Sequence, residues 1–199
     1  MKKINLFGAG GHGKVIKEIV ESEGNRVECF YDDNPDIAEH CGVAVCKVAD
    51  SAVEGGLIVC IGDNRKRKSV VDRIDVDYAT AVHPSAILSP TVKLSAGSVV
   101  MQRAVIQADA YIGKHSIINT SASVDHDCRI GDFVHISPGA TLCGAVSIGD
   151  GTLIGTGSVV VPGVKIGKWC IIGAGSVVLT DIPDGVVAYG NPCKVHSSI

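Results

Sequence analysis

From residue 82 onward, every sixth residue is Val, Ile or Leu. The series runs Val82, Leu88, Leu94, Val100, Ile106, Ile112 and on without a slip of register to Ile166, Ile172 and Val178, seventeen positions in all. Four residues after each aliphatic stands a small or β-branched residue, as at Ala86, Ser98, Ala104, Ala110, Ser116 and Cys128. Glycine often follows the aliphatic directly, as at Gly113, Gly131, Gly149, Gly155, Gly167 and Gly173. A period of six fits neither the 3.6 of a helix nor the 2 of a strand. It predicts a prism in which each flat face is one short strand and each corner takes a glycine or a small residue. Three hexapeptides then close one coil, and stacked coils bury the aliphatic column. Coils hydrogen-bonded at about 4.8 Å give a column of five to six turns roughly 27 Å tall.

Residues 1–77 follow a different rhythm. Lys3 to Phe7 reads as a strand, followed by Gly8-Ala9-Gly10-Gly11-His12-Gly13. Val15, Ile16, Ile19 and Val20 then recur at helical spacing over 14–23. Residues 27–31 predict a second strand, stopped by Asp32-Asp33-Asn34-Pro35, and 56–61 a third, followed by a basic helix to Ile74. This is a Rossmann-like βαβ unit with a sheet of roughly three strands. Asp75-Val76-Asp77 is the expected hinge, so the chain divides into 1–77 and an all-β parallel helix over 78–199.

Composition narrows the setting. Apolar residues make up 46% but aromatics only 4%, so the core must be built from Val, Ile, Leu and Ala. A net charge of −3 offers no attraction to nucleic acid or an anionic membrane. The first apolar stretch is broken by Gly8 too early for a signal peptide, and no run approaches the roughly 18 residues of a membrane span. Eight cysteines, six of them within apolar stretches, read as buried thiols in a reducing compartment, and a cytoplasmic location is expected. Cys41 and Cys46 lack the CxxC spacing of a metal or redox site, and no metal is expected.

Two features carry chemistry. The glycine-rich turn lies between a strand and a helix, where backbone N–H groups and the helix terminus receive a diphosphate. Asp32, about twenty residues on, is placed to meet a ribose. A small sheet and a repeat with no dehydrogenase substrate domain favour a nucleotide-sugar over NAD. The second feature is His126, flanked by Asp125 and Asp127, two residues past an aliphatic marker and therefore outside the column. A carboxylate partner raises imidazole basicity, as a general base requires. His126 and His135 also read as solvated surface residues, and the repeat alone leaves that alternative open. His83 and His115 have no acidic neighbours and are expected at the surface.

Taken together, these residues resemble a group of hexapeptide acyltransferases, the bacterial UDP-4-amino-sugar N-acetyltransferases and sialic acid O-acetyltransferases. The likeness runs from Gly8-Ala9-Gly10-Gly11-His12-Gly13 through Asp32-Asp33, Ile61-Gly62-Asp63-Asn64 and His83-Pro84-Ser85-Ala86. It continues at Asp125-His126-Asp127-Cys128 and Val134-His135, and closes at Gly190-Asn191-Pro192-Cys193-Lys194. The resemblance implies a left-handed coil, where the general rule for parallel crossovers favours the other hand. It also implies a homotrimer that uses acetyl-CoA in bacterial glycan biosynthesis, without a metal or a covalent intermediate. Carried over residue by residue, His126 is the general base and Asp127 the carboxylate that raises its basicity, with Asp125 able to serve instead. His135 contacts the acetyl-CoA thioester, and the Gly144 N–H faces the developing oxyanion. Thr156 and Ala174 line the pantetheine groove. Gly10, Gly11, His12, Asp32, Asp33, Gly62 and Arg65 hold the nucleotide-sugar. The expected reaction is N-acetylation of a UDP-linked 4-amino sugar, with O-acetylation of sialic acid or another sugar hydroxyl as the alternative. A zinc-dependent or purely structural β-helix is the remaining rival.

Overall fold

The computed structural model describes residues 2–47 and 55–199. The N-terminal part contains β1 (Lys3–Phe7), α1 (Gly11–Ser22), β2 (Arg26–Tyr31), β3 (Glu39–His40), β4 (Val43–Cys46), β5 (Gly56–Val59) and α2 (Asn64–Val71). Among the described residues the sheet has five strands in the order β3-β4-β2-β1-β5, two more than expected. The additional pair is the hairpin β3–β4, turned at Cys41 and Gly42, both with positive φ. Such a two-residue turn is most readily recognised as Asn-Gly or Asp-Gly. A cysteine in its first position concealed it.

Seventeen two-residue strands, from β6 (Ala81–Val82) to β22 (Val177–Val178), form the column. From β6 to β19 (Val159–Val160) each pairs in parallel with the strand eighteen residues on, as Val82 with Val100 and Ile118 with Ile136. Three sheets result. The first face begins with Ala81–Val82, the second with Ile87–Leu88 and the third with Lys93–Leu94. The column is a left-handed β-helix. Ile112, Ile118, Val124, Ile136 and Leu142 are fully buried, and each such side chain contributes about 1.5–3 kcal/mol. The small residues of the second marker point inward as well: Ala104, Ala110, Ala122 and Ala140 are equally buried.

The corners correct one expectation. From Leu94 to Ile172, left-handed backbone falls three residues after each aliphatic, at Arg103, Asp109, Ser121, Asp127, Phe133, Ala145 and Trp169 among others. The glycines directly after the aliphatic meet a different need, close stacking of coils. A Cβ on Gly149 would lie 2.6 Å from the carbonyl carbon of Gly167.

The N-terminal part packs on the first face. Ile4, Leu6 and Ile16 share one core with Ala81, Val99, Met101 and Ile117. Residues 77–79 are stitched to the sheet by Leu57 N–H to Asp77 O and Ala79 N–H to Leu57 O, so the expected hinge is anchored there. The docking also buries His115, which lies between Tyr78 and Phe133 and not at the surface. Nothing in the neighbourhood of His115 in sequence announces a partner contributed from another domain. A hairpin of β23 (Val186–Gly190) and β24 (Cys193–Ser198) extends the first face. Among the described residues, no helix is long and apolar enough to cross a membrane.

Candidate active site

The corner that follows Ser123–Val124 carries Asp125, His126 and Asp127. Asp127 occupies the left-handed position with φ 59°, a conformation that Asp tolerates better than most residues. This bend returns its carboxylate to the preceding ring. His126 Nδ1 and Asp127 Oδ2 lie 2.8 Å apart, and the His126 backbone N–H donates to Asp125 Oδ1, also at 2.8 Å. The ring is exposed, and the Asp127 hydrogen bond, aided by the Asp125 charge, raises its pKa above the ordinary 6.5. With Nδ1 donating to the carboxylate, Nε2 is left as the basic nitrogen.

Gly144 stands one coil above. A Cβ there would come within 2.7 Å of His126 Nε2, so the ring can approach this residue so closely only because it is glycine. Cys143 and Ala145 spend their N–H groups on Val160 O and His126 O. Among the described residues, the Gly144 N–H takes no part in that ladder. Thr156 and Ala174 are exposed on successive coils of the corner between the first and second faces. The second face therefore separates them from the dyad within one column.

The nucleotide-binding candidates gather at the other side of the molecule. Gly10 and Gly11 are exposed, and a Cβ on either would meet nothing within 4 Å. Gly13 is different: its Cβ would fall 2.3 Å from Gly8 O, so it serves the close approach of α1 to the turn. Asp32 accepts the Ala9 N–H at 2.7 Å and the Asn34 N–H at 2.9 Å, which ties the glycine turn to the end of β2. Asp33 forms an ion pair with Arg73. Arg65 places its guanidinium 4.9 Å from the ring centre of Trp169, across the domain boundary. β1 and β5 are neighbours whose connections diverge, so Gly8–His12 and Gly62 border the switch-point crevice where such sheets bind ligands.

His135 lies on the first face, away from the His126 corner, with its ring centre 6.4 Å from that of His12. Its Nδ1 is 3.1 Å from Gly62 O and its Nε2 is 2.9 Å from Asn119 Nδ2. Burial and the Arg67 charge lower the pKa of both His12 and His135 to about 4. Among the described residues, His12 Nε2 is buried with no hydrogen-bond partner. The structure thus brings together His126, Asp127 and Gly144 in one group, and the glycine turn, His12, Gly62 and His135 in another.

The residue that sequence reasoning missed is Arg67, which is 1% exposed. It donates to His115 O, Ile61 O, Gly62 O, Asn64 Oδ1 and Phe133 O. In the basic run Asn64-Arg65-Lys66-Arg67-Lys68 it looks like one more solvated cation. Only the helical position facing the column distinguishes it.

Residues 3–74 match the PglD N-terminal domain, and residues 145–180 match the bacterial transferase hexapeptide (six repeats). Over 112 residues the chain is 42% identical to UDP-N-acetylbacillosamine N-acetyltransferase of Bacillus subtilis (strain 168). That match covers 51% of this chain and 52% of the relative, so the chain spans about half the length of the curated relative. A structure of perosamine N-acetyltransferase from Caulobacter crescentus with CoA and GDP-perosamine superposes with a TM-score of 0.93 at 38% identity. The superposition covers 100% of this chain and 98% of that one. The acetyltransferase domain of PglB from Neisseria gonorrhoeae FA1090, in complex with acetyl coenzyme A, gives 0.92 at 37% identity, covering 98% and 99%. With a PglD-type N-terminal domain seated on a hexapeptide column along its whole length, the chain belongs to the family of hexapeptide-repeat sugar acetyltransferases.

Proposed function

We propose that this protein transfers the acetyl group of acetyl-CoA to the amine of a nucleotide-linked 4-amino sugar. The observation that carries the reading is the His126–Asp127 dyad set against Gly144 on an exposed corner. As the neutral sugar amine attacks the thioester carbonyl, His126 Nε2 accepts its proton and Asp127 stabilises the imidazolium. The Gly144 N–H is placed to receive the oxyanion of the tetrahedral intermediate. Collapse of the intermediate breaks the C–S bond, and the imidazolium returns its proton to the CoA thiolate.

A homotrimer is part of the proposal. The dyad lies on the corner opposite the first face, where the glycine turn and His12 are docked, so one column does not unite base and acceptor. A neighbouring copy does so if its first-face side approaches that corner. The outward residues of the second face favour such packing. Ile87, Val105, Ser123, Thr141, Val159 and Val177 carry no charge, whereas the third face displays Lys93, Arg129 and Lys165. Thr156 and Ala174 border the second face and would line the donor groove at such a junction. Sedimentation equilibrium showing an active monomer would remove this element.

The relatives act on or bind UDP- and GDP-linked sugars, and we favour the UDP-linked amine. We place the reaction in the cytoplasm, where acetyl-CoA and nucleotide-sugars meet. The test is incubation with acetyl-CoA and UDP- or GDP-linked 4-amino sugars, or sialic acids, followed by mass spectrometry. A mass gain of one acetyl group on the amino sugars is expected. Transfer to sialic acid alone would overturn the reading.

A further inference from the structure

Cys29 on β2 and Cys46 at the end of β4 stand seventeen residues apart in sequence and meet across the sheet. Tyr31 is the Cα partner of Cys46, and Cys29, two residues earlier, turns its side chain to the same face. The two sulfur atoms are 2.8 Å apart. The Cys29 S–H also reaches Phe30 O at 3.0 Å and Ala44 O at 3.5 Å, so backbone acceptors seat this thiol against its neighbour. A disulfide bond needs about 2.05 Å, and closing the gap asks for a movement of under about 1 Å.

The two thiols differ in access. Cys29 is buried and Cys46 is half-buried. Cys46 lines a cavity together with Asp32, Asn34, Pro35 and Ile37, so a reagent in solution meets Cys46 first. The same residue is joined to the glycine turn. The Asp32 N–H donates to Cys46 O at 3.4 Å, and Asp32 Oδ2 accepts the Ala9 N–H at 2.7 Å. The longer of these bonds is the one most easily lost when Cys46 shifts.

We propose that Cys29 and Cys46 form a redox-active dithiol, closed to a disulfide by a low-molecular-weight disulfide such as oxidised glutathione, and that closure weakens nucleotide-sugar binding through Asp32. The Cys46 thiolate attacks one sulfur of the oxidant, whose S–S bond breaks, and the first glutathione thiolate leaves and takes up the Cys46 proton. The Cys29 thiolate then attacks the Cys46 sulfur, the mixed disulfide breaks, and the second glutathione leaves with the Cys29 proton. Two electrons and two protons pass from the protein to the oxidant. Burial, and then the hydrogen bond to Cys46, raise the pKa of Cys29, so the second step is the slower and the mixed disulfide on Cys46 accumulates first. In a reducing compartment such a bond is transient, as redox-sensing disulfides are. The effect on binding rests on the nucleotide-sugar reading, whereas the disulfide itself does not.

The full chain incubated with oxidised glutathione, alkylated, digested and weighed by mass spectrometry tests the site without substrate. A Cys29–Cys46 cross-link reversed by dithiothreitol is expected. Cys46→Ser should abolish it, and Cys29→Ala should stop at glutathione held on Cys46. Oxidation should raise KM for the nucleotide-sugar about fivefold in the wild type, with kcat and CoA affinity unaltered. In Cys46→Ser, KM should no longer respond to the oxidant. Absence of the cross-link, or a bond from Cys46 to Cys41 in its place, overturns the dithiol. A cross-link with unaltered KM overturns the coupling to Asp32. Failure of the wild type to acetylate any nucleotide-sugar refutes the acetyl-transfer reading and leaves the cross-link result standing.

Discussion

At the residue scale, the proposed chemistry rests on the way a corner of the coil presents His126. Asp127 bends back in left-handed backbone, Gly144 leaves room for the ring, and solvent reaches His126 and Asp127. Replacing His126 with Ala is expected to lower kcat by about 10²- to 10⁴-fold while CoA binding persists, since only proton transfer is lost. Near wild-type turnover would dismiss it as the base. As the proposed base, His126 must be neutral to act, and Asp127 raises its pKa. Activity should therefore fall as pH drops through a value above 6.5, and Asp127→Asn should move that limb to lower pH. An unmoved limb would point to Asp125 as the operative partner. Gly144→Ala supplies a second check: a methyl 2.7 Å from the ring must displace it, so kcat should fall about tenfold or more with the fold intact. An unimpaired Ala variant would show that the ring does not need that seat. Of these residues, His126 and its acids were legible in the sequence because the repeat register placed them outside the column. His135 was legible as a histidine but not as a committed one, because Gly62 and Asn119 reach it only in the fold.

At the element scale, each hexapeptide needs one left-handed residue and tight stacking between coils, and different positions meet the two needs. Ser121 has φ 57° and an exposed side chain, so Ser121→Gly removes conformational strain. A stability gain of about 1 kcal/mol is expected in denaturant melts. Gly149→Ala pushes a methyl into the backbone of Gly167 and should cost about 1–3 kcal/mol. Equal effects from the two substitutions would erase the distinction. The buried polar positions obey the same stacking. Ser98, Ser116 and Thr152 donate inward to Gly113 O, Gly131 O and Gly167 O, so a hydroxyl serves at the small-residue marker without an unmet bond. The β3–β4 hairpin was the element least visible beforehand, its strands being too short and its turn too unusual for pattern alone.

At the scale of the whole molecule, two topologies share a seam, and the seam is expected to be acid-sensitive. His12, His115 and His135 all lie along it with folded pKa values of about 4, lowered chiefly by burial and then by Arg67. In the unfolded chain each returns to about 6.5, so between these values the unfolded state binds more protons. The stability tied to the three rings is complete above pH 6.5 and is lost as pH falls through about 4. Thermal unfolding followed from pH 7 to pH 4 should show the midpoint dropping across that window. A flat midpoint would mean that the seam opens to solvent before the rings titrate.

The sequence by itself determined the β-helix, a glycine turn opening a Rossmann-like N-terminal unit, and the placing of His126 between two acids outside the column; which acid bonds its ring was left open. Those features are periodic or local: a register of six, a glycine turn between a strand and a helix, two acids beside a histidine. Tertiary structure decided which residues join the halves and which of them remain available for chemistry. Arg67 reads as surface charge and is buried. His115 reads as exposed and is enclosed. His135 reads as a free imidazole and has both nitrogens engaged. Their partners come from coils and loops dozens of residues away. Burial and hydrogen bonding of that kind depend on docking between elements, which no pattern along the chain encodes.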